Sequence, residues 1–364
     1  MKIAKILAST VLGASLLIGA TAANAGDITV VSWGGAYTKS QVAAYHKPWI
    51  AKTGNGIKSE DYSGGIAEIK AQVEAGNVTW DIVDVELSDA IRACDEGLLE
   101  TIDASTLPAG ADGTPAQQDF LKGTLHECAV ANIVWSTIFA YDTSKISMES
   151  GPKTFADFFN VAKWPGKRGL RKGAKPNLEF ALMADGVAAK DVYGLLATPE
   201  GVDRAFAKLS TIKEHVVWWT AGAQPPQLLA DGEVAMTTAY NGRIFNAVAN
   251  EGKPFEIVWD GQIWDIDLWV IPKGSKNKDL ALDFLKFSTA TEQLAKQASY
   301  ISYGPARLSS APLVGKFEGK DIDMGPQMPT APNNLANAVQ NDFNFWADNA
   351  EQLDERFNAW LASN

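Results

Sequence analysis

The sequence predicts an α/β fold in two lobes, and three observations predict it. Short apolar runs rich in β-branched residues alternate with amphipathic helical stretches, the pattern of a parallel sheet with crossover helices. The chain is 364 residues long with 46% hydrophobic residues, enough for two cores. Two longer apolar runs, Ala129 to Tyr141 and Ile263 to Pro272, suit strands that leave the first lobe and return to it. The division expected is lobe 1 over 26–141, lobe 2 over 142–262, and a return to lobe 1 with C-terminal helices over 263–364.

Residues 1–25 stand apart. Lys2 and Lys5 precede an apolar run from Ile6 to Ala20, and Ala23-Asn24-Ala25 closes the segment. That order is a secretory signal peptide cleaved after Ala25, and the run is short for a membrane anchor. The formal charge of −11 and the absence of a basic tract argue against nucleic acid and anionic membrane as partners. Export places Cys94 and Cys128, the two cysteines of the chain, in an oxidising compartment, so a disulfide is expected, with two buried thiols as the alternative. His46, His126 and His215 are scattered without ligand spacing, so neither a metal site nor any other cofactor is expected.

Taken in order, Ile28 to Ser32 is a strand, and Trp33-Gly34-Gly35-Ala36-Tyr37 turns it into a helix reaching about Lys52. Two glycines there permit close backbone approach, and two large aromatics flank the turn. Ile57 to Tyr62 is a second strand, Ile66 to Ala75 a helix, and Trp80 to Val85 a third strand ending at Glu86. Ser88 is placed to cap the next helix, Asp89 to Glu96. Leu98 to Gly123 has the composition of irregular covering structure. In the second lobe, Lys167 to Lys172 leads to a turn, and Asn177 caps a helix carrying Glu179 in its first turn, where the helix dipole alone accounts for an acid. Pro199 to Lys213 is a long helix, and Val216 to Thr220 a strand that includes Trp218 and Trp219. Phe255 to Trp259 and Ile263 to Pro272 are two further strands. The second carries Asp265 and Asp267 on one face, and carboxylates in so apolar a strand need partners.

The passage Val234 to Phe245, VAMTTAYNGRIF, organises the rest. A strand ends at Tyr240, Asn241-Gly242 is expected to form a turn, and Arg243 opens a helix. An aromatic ring and a guanidinium thus stand at the carboxyl end of a strand, where open α/β sheets bind ligands. Tyr303 lies in an extended stretch before Gly304-Pro305, and Phe343 to Trp360 supply helices packed across the outside.

As a set, the signal peptide, Ser32 to Tyr37, the W-D-I-V-D-V-E strand, Lys163-Trp164-Pro165-Gly166-Lys167-Arg168, A-x-N-G-R and Tyr303-Gly304-Pro305 resemble the polyamine-type branch of periplasmic solute-binding proteins of ABC importers. The resemblance covers the mature chain and implies a type II-like, two-lobed binding protein with crossover strands and an interlobe ligand cleft. It implies a periplasmic monomer that hands its ligand to an inner-membrane permease. Carried over, the cleft aromatics correspond to Trp33, Tyr37, Tyr240 and Tyr303, the amine-binding carboxylate to Asp267 and an acidic helix-start position to Glu179. Trp219, Asp265 and Glu86 complete the candidate set with Arg243.

Two positions depart from the branch: Glu86 stands where its members have a small hydroxyl residue, and Arg243 where they have an acid. An arginine in a closed cleft repels a second ammonium and grips a carboxylate bidentately. The ligand expected is therefore a small zwitterion, and the chain is similar here to members that bind γ-aminobutyrate; ω-amino acids, opines and betaine-like compounds share that chemistry. If Arg243 is instead consumed in an internal pair with Glu86 or Asp265, a putrescine or spermidine site survives. An exported enzyme would rest on acidic residues alone, since G-x-S-x-G, H-E-x-x-H and P-loop patterns are missing from the sequence. A chemoreceptor partner would use the same site. Closure is expected about the crossover strands near Tyr141 and Asp265.

Overall fold

The computed structural model describes residues 26–363, so the signal peptide expected over 1–25 lies outside the described residues. The backbone of both lobes is one mixed sheet. Across it the strands run Gly56–Asp61, Asp27–Ser32, Ile82–Glu86, Phe255–Val270, Ala129–Asp142, Met236–Tyr240, Arg168–Arg171 and Val216–Trp219. The first three are parallel to one another, as are the last three. Between these parallel sets the two long strands pair antiparallel with each other and with their outer neighbours.

Two lobes follow from two separate cores. One packs Val30, Val83, Trp269 and Phe284, and the other packs Phe139, Phe155, Phe180 and Trp346. Each long strand feeds both. Ala129–Asp142 gives Val134 to the first core and Phe139 and Tyr141 to the second, while Phe255–Val270 gives Val258 and Ile263 to the second and Leu268 and Trp269 to the first. Burial along the whole of Ala129–Asp142 explains its continuous apolar run, as for any strand covered on both faces.

Several expectations need correction. Phe255–Val270 is one 16-residue strand rather than two. Gly261, at φ 71°, keeps the chain in the sheet through a conformation that a side chain would strain, and Phe155 lies against it. The tail is a single 20-residue helix, Phe343–Ala362, capped by Asp342, whose carboxylate accepts from the Phe345 amide at 3.0 Å. Its Trp346, Leu353 and Phe357 are buried in the second core, so it is built into the lobe rather than laid across it. The helix after Glu86 begins at Leu87, which places Ser88 inside the first turn instead of at the cap. Asn177 likewise is the first helical residue, and its amide donates to the Arg171 and Gly173 carbonyls at 2.6 and 2.8 Å.

Cys94 and Cys128 form a disulfide that ties the end of helix Leu87–Asp95 to the start of strand Ala129–Asp142. With a sequence separation of 34, closing this loop removes unfolded-state entropy worth about 3 to 4 kcal/mol. Urea unfolding of the Cys94→Ser/Cys128→Ser protein is expected to show a loss of that size against the oxidised parent.

Candidate functional site

The site is assembled at strand ends. Tyr240 closes strand Met236–Tyr240, and helix Asn241–Glu251 starts immediately, without the expected Asn-Gly turn. Asn241 is consumed in tertiary bonds: its Oδ1 accepts from the Ser136 amide at 3.0 Å, and its Nδ2 donates to the Ser302 carbonyl at 2.6 Å. Gly242 is needed for close approach, since a Cβ there would stand 2.6 Å from both Ile301 and the Tyr303 ring. Those two residues thereby lock the first turn of the helix, and with it Arg243, against the segment carrying Tyr303.

One cleft is lined by Trp33, Tyr37, Glu86, Ile133, Trp135, Tyr240, Arg243, Asp267 and Tyr303. Seven of the ten sequence candidates are among these. The aromatic rings meet edge to face, Tyr37 with Tyr303 at 5.2 Å and Trp135 with Tyr240 at 4.9 Å between centroids, an arrangement that fixes their orientation. Trp219 stands behind Tyr240 at 5.5 Å and supports it without lining the cleft.

The carboxylates form a row on the sheet. Glu86 and Asp267 are direct partners on antiparallel strands, and Asp265 lies two residues from Asp267 along the same strand. Glu86 is paired with Arg171 at 3.1 Å and Lys175 at 2.6 Å. Burial alone would push its carboxyl up, but Lys175 and Arg171 outweigh burial and hold it down at about 2. Lys175 also reaches Asp265 at 3.3 Å; burial pushes Asp265 up to about 6 against that pull. Asp267 accepts from the Trp135 indole N–H at 2.6 Å, and among the described residues no cation forms an ion pair with it. Burial, then the charges of Asp84, Glu86 and Asp265, push it well above the usual carboxylate range. Asp84, behind the cleft, accepts from Ser32, Gln41 and Asn132, and burial pushes it up to about 7.

Arg243 is not consumed by an acid. Its Nη1 donates to the Gly34 carbonyl and its Nη2 to the Trp33 carbonyl, the latter at 3.1 Å, and among the described residues no carboxylate forms an ion pair with it. The approach depends on Gly35, where a Cβ would stand 2.8 Å from Nη1. Arg243 Nε and Trp33 Nε1, on residues that line the cleft, are buried N–H groups without a hydrogen-bond partner among the described residues.

Besides Trp219, two candidates fall outside the cleft. Asp265 faces Lys175 and is not a cleft-lining residue. Glu179 is enclosed in the second lobe, accepting from Tyr193 at 3.0 Å and from the Trp346 indole at 2.7 Å, so it anchors the C-terminal helix. Conversely, Ile133, Trp135, Arg171 and Lys175 were not among the sequence candidates. Arg171 ends strand Arg168–Arg171, so the strand-end rule that selected Tyr240 could have found it. The other three carried no such signal.

Comparison with known proteins finds relatives over most of the chain. The family described as bacterial extracellular solute-binding protein matches residues 21–330. A γ-aminobutyric acid-binding protein of Pseudomonas aeruginosa is 46% identical over 343 residues, 94% of this chain and 93% of that protein. A spermidine/putrescine-binding periplasmic protein of Salmonella typhimurium is 24% identical over 239 residues, 65% of this chain and 66% of that protein. Among solved structures, the Atu4243-GABA receptor superposes with a TM-score of 0.77 at 34% identity, covering 93% of this chain and 98% of that one.

Burial alone pushes Glu179 up to about 7, against its hydrogen bonds. A raised carboxyl contributes stability that is complete below the unfolded value and lost as pH rises through the folded one. Glu179→Gln is therefore expected to flatten the decline in stability between about pH 4.5 and pH 7, by on the order of 2 to 3 kcal/mol. Thermal or urea unfolding across that range checks it, and an unchanged pH profile would count against the assignment.

Proposed function

The chain belongs to the bacterial extracellular solute-binding proteins, as the substrate-binding component of an ABC transporter, and from that premise we propose that its ligand is a small ω-amino acid, γ-aminobutyrate first among them. The observation that carries the proposal is a pair of opposite charges in one aromatic cleft that, among the described residues, form no ion pair: Asp267 and Arg243. The ammonium goes to Asp267 and the carboxylate to Arg243, with the unpartnered N–H groups of Arg243 and Trp33 as additional donors. Tyr37, Trp135, Tyr240 and Tyr303 enclose the methylene chain, and their faces favour the cationic end.

A polyamine fits less well. Its second ammonium needs a second free carboxylate, and Glu86 and Asp265 are already paired with Arg171 and Lys175. A cation near Arg243 is also repelled.

Closure is coupled to binding by the same residues. Arg243 comes from the second lobe and donates to the backbone of Trp33 and Gly34 in the first. A ligand bridging Asp267 and Arg243 favours the closed state by its contacts with both lobes. The pivot lies where the long strands pass between cores, between Val134 and Phe139 in one and between Ile263 and Ile266 in the other, so Phe139, Tyr141 and Ile263 belong with the second core and the expected boundaries at 141 and 263 shift by a few residues. In this reading the protein is exported to the periplasm after cleavage behind Ala25, works as a monomer without cofactor, passes its ligand unchanged to an inner-membrane permease, and does no chemistry on it.

Isothermal calorimetry of the mature protein with γ-aminobutyrate, putrescine and spermidine tests the assignment. Binding of γ-aminobutyrate is expected; tight putrescine binding with no γ-aminobutyrate signal would sink it. Arg243→Ala is expected to weaken γ-aminobutyrate binding on the order of a hundredfold with little change in the melting temperature of the unliganded protein.

Burial and the charges of Asp84, Glu86 and Asp265 raise the Asp267 carboxyl pKa, and a bound ammonium favours its ionised form, so binding is expected to release protons below that raised pKa. Affinity should therefore fall as pH is lowered, by up to about tenfold per unit below the raised pKa. Titrations in buffers of differing ionisation enthalpy count the protons, and Asp267→Asn should abolish both the release and most of the affinity.

A further inference from the structure

We propose that Lys175 is a tethered ammonium that occupies the second cation position of the carboxylate row, limiting the ligand to one ammonium and excluding diamines. The inference rests on the reading of Asp267 as the ligand's ammonium acceptor.

The Lys175 head group is held as a bound alkylammonium would be. Its Nζ lies 2.6 Å from Glu86, 3.3 Å from Asp265 and 3.1 Å from the Ser88 hydroxyl, three acceptors for three donors. Glu86 and Ser88 belong to the first lobe, whereas Lys175 enters from the segment between strand Arg168–Arg171 and helix Asn177–Ala184 of the second. The side chain is itself a butylammonium, the chemical unit that a short diamine would bring. Burial would lower its pKa, but the charges of Glu86 and Asp265 outweigh burial and keep it a cation.

Position makes this a determinant of specificity. Glu86 is the common wall of two spaces: the ligand cleft with Asp267 and Tyr240 on one side, and a cavity with Ser88, Arg171 and Lys175 on the other. As paired residues on adjacent antiparallel strands, Glu86 and Asp267 have Cβ atoms about 5 Å apart, within the reach of one short diamine. The charges close the argument. Of the row's three carboxylates, Glu86 and Asp265 are paired with Arg171 and Lys175 and Asp267 is not, while Asp89 and Arg92, which also line the cavity, pair with each other at 3.9 Å. One remains for the ligand, and a second ligand ammonium would meet Lys175 as a like charge in a closed space.

An ion pair that merely braced the fold would behave differently on removal: stability would fall and no new ligand would bind. The test measures putrescine and γ-aminobutyrate binding by calorimetry for the parent, Lys175→Ala, Lys175→Met and Lys175→Arg, with circular dichroism confirming the fold. Lys175→Met retains the apolar stem should the alanine variant not fold. Putrescine affinity is expected to rise about tenfold or more in the alanine or methionine variant, and not in Lys175→Arg, which keeps the charge. A folded neutral variant with no gain over the parent would overturn the proposal, as would an equal gain in Lys175→Arg. The parent titrated with γ-aminobutyrate reports separately on the zwitterion assignment, because the role of Lys175 is read from the difference in putrescine binding between variant and parent.

Discussion

Everything at the cleft depends on the cost of burying a row of carboxylates on one sheet. Ionised carboxyls taken out of water are tolerated when cations and hydrogen bonds compensate them, and otherwise they bind a proton. Glu86 follows the first course, with Arg171 and Lys175 across it, whereas the Asp267 carboxyl, beside the Trp135 indole, is pushed well above the usual range by burial and neighbouring acids. In the proposed reading, that asymmetry between neighbouring strands makes one position a support and the other the place for the ligand's cation. Breaking a buried pair by removing one partner is costly, so the support is also firmly set.

The compensating cations come from the other lobe, which makes electrostatics and architecture a single problem. Arg171 and Lys175 of the second lobe reach Glu86 and Asp265, and Arg243 of the same lobe reaches the carbonyls of Trp33 and Gly34. The long strands Ala129–Asp142 and Phe255–Val270 permit this, because each is anchored in both cores. The second lobe thus presents two sets of cations to the first, one answered by acids of the protein and one, in the proposed reading, left for an acid of the ligand.

Rigid parts hold the cleft. The disulfide sets helix Leu87–Asp95, and so Ser88 and the end of strand Ile82–Glu86, against the start of the crossing strand. Asn241 and Gly242 fix the first turn of the helix carrying Arg243 through Ser136, Ser302 and Tyr303. Charged groups placed in this way need little rearrangement to meet a ligand, which is the condition for selective binding.

Sequence alone determined the α/β alternation, the exported class and most of the residues at strand ends. Trp33, Tyr37, Glu86, Tyr240 and Arg243 were legible because a strand followed by a turn or helix is a local pattern, and its carboxyl end is where such sheets bind ligands. The same local reasoning misjudged Asn241-Gly242, whose amide and missing side chain serve tertiary contacts rather than a turn, and Glu179, whose partners Tyr193 and Trp346 belong to distant segments. Tertiary structure decided which charges cancel. Lys175 meets Glu86 across 89 positions and Asp265 across 90, and Trp135 meets Asp267 across 132, separations over which no periodicity carries information. Ionic partnership depends on distance in space and on burial, and both arise only when the strands pair and the lobes close.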